Sequence, residues 1–473
     1  MKEANIRLLQ DCNSVRMKTK VTAIFDIGRT NKKFFLIDTD YQEVYREYIR
    51  FDEIKDEDGY PTENLEALIR WAKEVFIRML DSSNFDIRSL NFSCYGASLV
   101  HIDENGKPLT PLYNYMKPLK EEIYASFYNT YGPEKELSRL TGSPKLGMLN
   151  TGMHLFWLKY EKPETFKKIK YSLHLPQYLS YVFTGIPASE YTSIGCHTML
   201  WDFEKKGYHQ WVYQEQIDTI LPPIVPTHKT YPIDFNGKKI QIGIGIHDSS
   251  SALLPYVRSD KKPFVLVSTG TWSISINPFA KGMLTLKEIQ NDCLFNMRID
   301  GNPVKVSRLF LGNEYKLQVK KLCSHFGVSE DFHKTVKFNP DIFSEINRNP
   351  EPQFKWISIV GKKGADKSRM SYVQFEKAYH RLLLELVLLQ VESIKATIED
   401  PTIERLYIDG GFSDNEVFIK LLTHYLKNMK LHTTDSSLGS ALGAVLVMSN
   451  TELPAKFLKF NYGLKKQRPT KTV

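Results

Sequence analysis

A carboxylate set where a strand gives way to a helix can take a proton from a substrate hydroxyl, and Asp248 occupies such a place. It follows His247 in the stretch Gly245-Ile246-His247-Asp248-Ser249-Ser250-Ser251-Ala252. Lys239 to Ile244 reads as the preceding strand, and the apolar residues beyond read as a helix. At that junction the backbone holds the side chain rigidly, and the positive end of the helix favours its negative charge. A general base is one reading of Asp248. A helix cap is the other.

Three further turns follow predicted strands. Asp26-Ile27-Gly28-Arg29-Thr30-Asn31 leads into Lys32 and Lys33, and Thr269-Gly270-Thr271 closes a second strand. Backbone N–H groups and hydroxyls at Gly28 and Thr30, and again at Gly270 and Thr271, can neutralise anionic oxygens. Two such turns facing across a cleft would hold a polyphosphate. Each is also readable as a tight hairpin. Asp26 carries oxygens suited to Mg2+ through water, or forms an Asx turn. Side chains alternate along a strand, so at most one of Lys32 and Lys33 points at a cleft. In the third turn, Asp409 to Asn415, Gly410-Gly411 lets the backbone pass close to a flat ligand. Asn415 offers an amide to a base edge or caps the following helix. The chain has no GxxxxGK[ST] pattern, which excludes a P-loop enzyme, and no GxGxxG, which weighs against a dinucleotide site.

The elements that must carry these turns alternate. Val21–Phe25, Lys32–Asp38 and Tyr41–Arg50 predict a three-strand meander, Asn64–Leu80 a helix and Ile87–Ser93 a strand ending at Tyr95-Gly96-Ala97-Ser98. Residues 121–218 read as a mainly helical insertion whose many aromatic residues form a core. Phe264–Ser268, a turn and Trp272–Ile276 repeat the opening hairpin. A long helix over Val373–Glu399, a strand at Arg405–Ile408 and a Gly/Ala-rich helix over Ser436–Met448 follow, the last built for close backbone approach. Alternating strands and helices imply an α/β fold. The repeated hairpin implies two related lobes with a cleft between them.

Composition limits the alternatives. A chain of 473 residues exceeds one ordinary core, so about two or three domains are expected. The net charge of +9 is dispersed, and the densest basic run, Lys465 to Lys471, reads as a solvated tail rather than a nucleic-acid surface. No apolar run approaches the roughly 18 residues of a membrane span. The first twenty residues lack the apolar stretch of a secretory signal, and residues 1–16 read as a dispensable leader or an upstream start. Five scattered cysteines argue for a reducing, cytoplasmic compartment.

Taken in order, DIGRTN (Asp26 to Asn31), GIHDSSSA (Gly245 to Ala252), STGTW (Ser268 to Trp272), DGGFSDN (Asp409 to Asn415) and LGSALGAV (Leu438 to Val445) resemble the FGGY family of carbohydrate kinases. The resemblance runs from about Val21 to Ser449. It implies a two-lobed, duplicated ribonuclease H-like fold of the actin and hexokinase type with an interdomain cleft. The expected division is a leader at 1–20, a sugar-binding lobe at 21–255 with the insertion at 121–218, a nucleotide-binding lobe at 256–452 and a basic tail at 453–473. The resemblance implies ATP and Mg2+ as donor and metal. It implies Asp248 as the base, Asp26 for the metal, and Gly28, Thr30 and Asn31 beside the transferred phosphoryl group. Gly270 and Thr271 would contact the β- and γ-phosphates, and Gly410, Gly411 and Asn415 the adenosine. His247, Ala97 and Ser98 would line the sugar pocket, His247 in the manner of the ketose-type branches such as rhamnulokinases and fuculokinases.

Several positions depart from the family. Ala97-Ser98 stands where members often have an acidic residue or Gln or His, and Leu112 to Met116 replaces a Trp/Tyr-x-Asp-x-Arg stretch. Around Ser436-Ser437 the usual Glu is not evident, and Arg29 and Asn31-Lys32-Lys33 are unusual in the first loop. A small residue at Ala97 would accommodate a methyl group, so a deoxy-ketohexose such as L-fuculose or L-rhamnulose is expected. A pentulose such as xylulose or ribulose, and a non-catalytic ATP- or sugar-binding regulator, stand as alternatives. The expected partner is a small-molecule sugar, with no nucleic acid and no membrane, and the oligomeric state is left open between monomer and homodimer.

Overall fold

The structure is a computed structural model that describes residues 18–349, 351–365, 372–435, 438–449, 452–454 and 456–468. The leader at 1–16, Ser436-Ser437 and the end of the basic run beyond Arg468 lie outside the described residues.

The meander is present as β1 (Thr19–Ile27), β2 (Lys32–Asp38) and β3 (Glu43–Ile49). β1 starts inside the span expected for the leader, because Thr19 and Lys20 pair with the start of the next parallel strand. Helix α1 (Leu65–Leu80) buries Leu68, Trp71, Ala72, Val75 and Phe76, the stripe its helical spacing predicts, and Asn64 caps it by accepting from the Ala67 N–H. The chain returns in β4 (Phe85–Cys94), parallel to β1. After the insertion come β5 (Thr230–Phe235), β6 (Lys238–Gly243) and the short β7 (Ile246–His247). The sheet order is β5-β6-β4-β1-β2-β3, with β7 also paired to β4.

The second lobe has β8 (Phe264–Thr269), β9 (Ser273–Asn277), β10 (Cys293–Met297), β11 (Pro303–Leu309), β12 (Arg405–Gly410), β13 (Lys430–Thr434) and β14 (Lys465–Lys466). Their order is β10-β11-β9-β8-β12-β13-β14. In each lobe an antiparallel meander continues into two parallel strands and one antiparallel edge strand. The repeated hairpin therefore marks a duplicated lobe, as expected.

Two helices join the lobes. α2 (Asp248–Ser259) lies in one core with α6 (Gly439–Val447), and that core draws Ile24 and Phe35 from the first sheet and Leu266 and Ile276 from the second. Their backbones touch: a Cβ on Gly443 would lie 1.8 Å from the Ser251 carbonyl oxygen. Asn91 fastens the first sheet to this pair, donating to the Ala444 carbonyl at 2.8 Å and accepting from the Gly245 N–H at 3.1 Å. α3 (Leu311–Phe326), α4 (Phe375–Thr397) and α5 (Glu416–Tyr425) cover the outer face of the second sheet.

The insertion has its own core, in which the ring of Phe127 meets Phe156 and Trp211 edge-on, each at 5.1 Å. It also docks on the other lobe, where the Phe295 N–H donates to the Gly142 carbonyl at 2.8 Å and Gly195 packs on Met297. The structure adds detail at three of the expected boundaries. Helix Leu175–Thr184, inside 121–218, belongs to the first lobe, because Leu175, Tyr178 and Leu179 are buried against its sheet. The break at 255/256 falls inside the continuous helix α2. The basic tail is not simply solvated: Phe457, Leu458 and Tyr462 are buried and β14 pairs with β13, since its apolar residues and backbone have partners that its lysines do not need. Among the described residues no helix is long and apolar enough to cross a membrane, and Cys94, Cys196, Cys293 and Cys323 are free and buried.

Candidate active site

Asp26, Gly28, Asp248, Ser268, Asp409 and Ser440 line a cleft cavity of about 360 Å3 between the lobes. Asp26 ends β1 opposite Lys33, whose Nζ lies 3.6 Å from Asp26 Oδ2, and Ser440 donates to Oδ1 at 2.8 Å. Burial raises the Asp26 pKa above the ordinary carboxylate value. Lys33 and Ser440 oppose that rise, and the charge of Asp248 adds to it. Lys32 points the other way, into a buried ion pair with Glu63, which also accepts from the Tyr95 hydroxyl at 2.5 Å. Strand alternation thus sends Lys33 to the cleft and Lys32 to the core.

Asp248 is the first residue of α2, and Ser249 donates to its Oδ1 at 3.1 Å. A third of the side chain is open to the cleft, yet the surrounding protein pushes its pKa up to about 6 by desolvation. His247 Nε2 lies 3.2 Å from Asp248 Oδ1 and 3.2 Å from Cys196 Sγ. Burial lowers His247 to about 4, so at neutral pH the imidazole beside Asp248 is neutral and the contact is not an ion pair.

The turn after β4 fits closely behind His247. A Cβ on Gly96 would meet Cys196 Sγ at 2.9 Å and His247 Nε2 at 3.1 Å, so only glycine fits. Ala97 takes a left-handed φ of 59° and, like Ser98, is 2% exposed. The left-handed turn leaves the Ala97 side chain closed to solvent. Ser98 joins Tyr95, Gly96 and His247 around a small internal cavity.

Gly28 N–H donates to the Asn31 carbonyl at 3.0 Å, closing the first turn, while Thr30 is exposed. The Asn31 side chain accepts from Arg50 at 2.6 Å, and Arg29 pairs with Glu53. In the other lobe Gly270 and Thr271 form the exposed tip between β8 and β9, with Gly270 N–H bonded to the Trp272 carbonyl at 2.8 Å. Asn313 N–H, in the first turn of α3, bonds the Thr271 carbonyl at 3.0 Å, and a Cβ on Gly312 would lie 1.9 Å from the Gly270 oxygen. Gly410 takes a φ of 85° against the Thr269 carbonyl, and Thr269 donates to the Asp409 carbonyl at 2.6 Å.

A second cavity of about 350 Å3 is lined by Tyr315, His333, Tyr379, Gly411, Phe412 and Asn415. Asn415 is the cap of α5, accepting from the Phe418 N–H at 3.0 Å, and its amide donates to the Tyr379 hydroxyl at 2.9 Å. Tyr315 and Tyr379 share a hydrogen bond of 2.8 Å. The cavity thus offers rings to a planar group, while the Asn415 amide expected to read a base edge is already engaged. Gly312, Tyr315 and Tyr379 were not apparent from sequence, since no local pattern marks them. Lys33 and Ser440 sat inside quoted motifs, and strand alternation and the small-residue helix were the signals that could have singled them out.

The residues fit a magnesium ion carried by phosphates. Among the described residues no group of three or more His, Cys, Asp or Glu could form a dedicated cage. Asp26 is a half-buried carboxylate at the cleft whose pKa desolvation raises although Lys33 and Ser440 oppose the rise. Mg2+ is commonly held by one or two carboxylates together with substrate phosphates.

Residues 21–253 match the N-terminal domain model of the FGGY family of carbohydrate kinases, and residues 261–456 match its C-terminal domain model. The chain is similar to a rhamnulokinase of Halalkalibacterium halodurans, 25% identical over 264 residues that make up 53% of this chain and 54% of that protein. It is also similar to a rhamnulokinase of Mannheimia succiniciproducens, 23% identical over 375 residues, 72% of this chain and 70% of the other. The match thus spans about half the length of the first relative. A carbohydrate kinase structure from Novosphingobium aromaticivorans superposes with a TM-score of 0.78 at 21% identity, covering 96% of both chains. A ligand-bound xylulose kinase from Lactobacillus acidophilus does so with 0.74 at 15% identity, covering 95% of this chain and 94% of that one. These superpositions show a shared fold.

Proposed function

Because the chain belongs to the FGGY family of carbohydrate kinases, we propose that it transfers the γ-phosphoryl group of ATP to a hydroxyl of a ketose, with a deoxy-ketohexose such as L-rhamnulose or L-fuculose as the substrate. The observation that carries this reading is Asp248: a carboxylate at the start of α2, facing the cleft that Asp26 and Gly28 share. The ketohexose assignment rests on the rhamnulokinase relatives and on His247 beside the base.

Asp248 orients the sugar hydroxyl and accepts its proton as the oxygen attacks. The new bond runs from the sugar oxygen to the γ-phosphorus; the bond from that phosphorus to the bridging oxygen breaks, and ADP leaves. The Ser249 hydroxyl holds the carboxylate in place, and the neutral His247 ring packs beside it. Lys33 and the turns at Gly28–Thr30 and Gly270–Thr271 offset charge on the phosphates, and positioning of this kind supplies most of the acceleration in phosphoryl transfer. Mg2+, held by Asp26, would neutralise further charge on the phosphate oxygens. Gly411 and the rings of Tyr315 and Phe412 bound the cavity that takes the adenosine.

The test is ADP release from Mg-ATP across L-rhamnulose, L-fuculose, xylulose and ribulose. A clear kcat/KM lead for either deoxy-ketohexose is expected. A lead for a pentulose would overturn the sugar assignment, and inactivity across a broad ketose panel with ATP still bound would overturn the kinase reading.

A pH dependence follows from the same base. A protonated carboxyl cannot accept the sugar proton, so kcat/KM is expected to rise with pH through about 6 and to level off above it. Below that limb the rate should fall about tenfold per pH unit. A limb centred near 4 would mean that burial does not set the pKa of the base.

A further inference from the structure

Asp248 opens α2, and the other end of the same helix borders a separate cavity of about 690 Å3. That volume falls within the range of small-molecule sites, which run from about 300 to 1,000 Å3. Its apolar wall includes Val257, Phe457, Leu458 and Leu464, and its cations are Arg258, Lys261, Arg405, Lys456 and Lys459. Two acids, Asp260 and Glu452, share the lining.

The charges do not cancel. Arg405 pairs with Asp260, which also accepts from the Tyr407 hydroxyl at 2.8 Å, so these groups satisfy one another. Lys261, Lys456 and Lys459 have no acidic partner among the described residues, and Glu452 alone opposes them. Arg258 is partly buried without a carboxylate; it donates to the Ser449 carbonyl at 2.6 Å, and burial lowers its pKa. A guanidinium desolvated without a counter-charge is suited to an incoming anion, and Arg and Lys together are the side chains that bind phosphate oxygens.

The kinase reaction does not account for this construction. The family match ends at residue 456, whereas Phe457, Leu458, Lys459 and Leu464 come from the folded tail beyond it. The tail is tied down by β14 and by burial of Phe457, Leu458 and Tyr462.

We propose that this cavity binds a phosphorylated small molecule, with its phosphate on Arg258, Lys261 and Lys456 and its apolar part against Phe457 and Leu464, and that occupancy regulates the enzyme through α2. The regulatory half rests on the kinase reading; the binding half does not. The 12-residue helix α2 carries Asp248 at its start and Arg258 in its last turn, so a ligand that ties that last turn to the tail acts on the element that carries the base.

Calorimetric titration of the full chain with inorganic phosphate, pyrophosphate and glucose 6-phosphate tests the site. At least one probe is expected to bind, and the charge-reversed variant Lys261→Glu/Lys456→Glu should weaken that binding by about tenfold or more, as loss of charge-assisted bonds predicts. The variant Asp248→Asn should bind the probe as the wild type does. Failure of all three probes, or equal binding by the charge-reversed variant, would overturn the site; equal binding would mean an ion held in the catalytic cleft. With an active sugar in hand, the bound probe should change sugar KM or kcat by about fivefold or more in the wild type and not in the charge-reversed variant. Binding without any kinetic change would overturn the regulatory half. If no sugar is phosphorylated, the calorimetric result still decides the site.

Discussion

Asp248→Asn is expected to lower kcat by about 10²- to 10⁴-fold, the range general-base catalysis supplies, while leaving the KM for the sugar within a few fold. The substitution keeps the shape of the side chain and removes only its capacity to take a proton at the start of α2. Ser249, which bonds Oδ1, and His247, which lies 3.2 Å from it, stay in place, so the pocket should hold its geometry. A loss confined to kcat identifies a group that acts in the transition state. A rise in KM at constant kcat would instead make Asp248 a binding group and leave the base unassigned. The mutant should also lose the acidic limb near pH 6, because the titrating group is gone. A limb that persisted would belong to another group, and Asp26, a cleft carboxylate with a raised pKa, is the first to substitute.

The largest expected effect on stability comes from Gly443→Val. The added Cβ would sit 1.8 Å from the Ser251 carbonyl oxygen, a backbone atom that cannot rotate away. The two helices would have to separate, and the surroundings resist this: Ser251 Oγ donates to the Ser440 carbonyl at 2.6 Å, and Asn91 holds the Ala444 carbonyl. Overpacking a core costs about 1–3 kcal/mol when side chains can yield, and this contact lies at or above the upper end. A Tm lower by about 3 °C or more is expected, read by calorimetry or circular dichroism. Activity should fall as well, since Ser440 bonds Asp26 from the same helix. Gly207→Ala is the control, because a Cβ there meets nothing within 4 Å. Equal Tm values for the two variants would show that α2 and α6 can part without cost.

What the sequence disclosed follows from the range of the interactions involved. Asp248, the turns at Gly28 and Gly270 and the Gly410-Gly411 pair were legible because each depends on a few consecutive residues at a strand end. The duplication was legible from the second hairpin, and the small residues of α6 announced the close approach that Gly443 makes. Contacts across long separations were not legible. Glu63 meets Lys32 and Tyr95, Cys196 meets His247, and Tyr379 meets Asn415, each pair brought together by packing rather than by spacing. The tail misled through its charge: its lysines are exposed, as read, but Phe457, Leu458 and Tyr462 between them decide where it goes. The left-handed φ of Ala97 and the tight fit of Gly96 against Cys196 and His247 likewise have no local signature in the sequence.

The contact between α2 and α6 has a mechanical consequence. Helices whose backbones touch at Gly443 and Ser251 cannot slide past each other, but they can roll, so they form an axle between the two halves of the molecule. A rotation displaces each atom in proportion to its distance from the axle. Asp248 in the first turn of α2, and Asp26 tethered to the first turn of α6 through Ser440, lie close to it and keep their spacing as the halves turn. A turn about this axle would widen the cleft mouth while leaving Asp248 and Asp26 at nearly constant spacing.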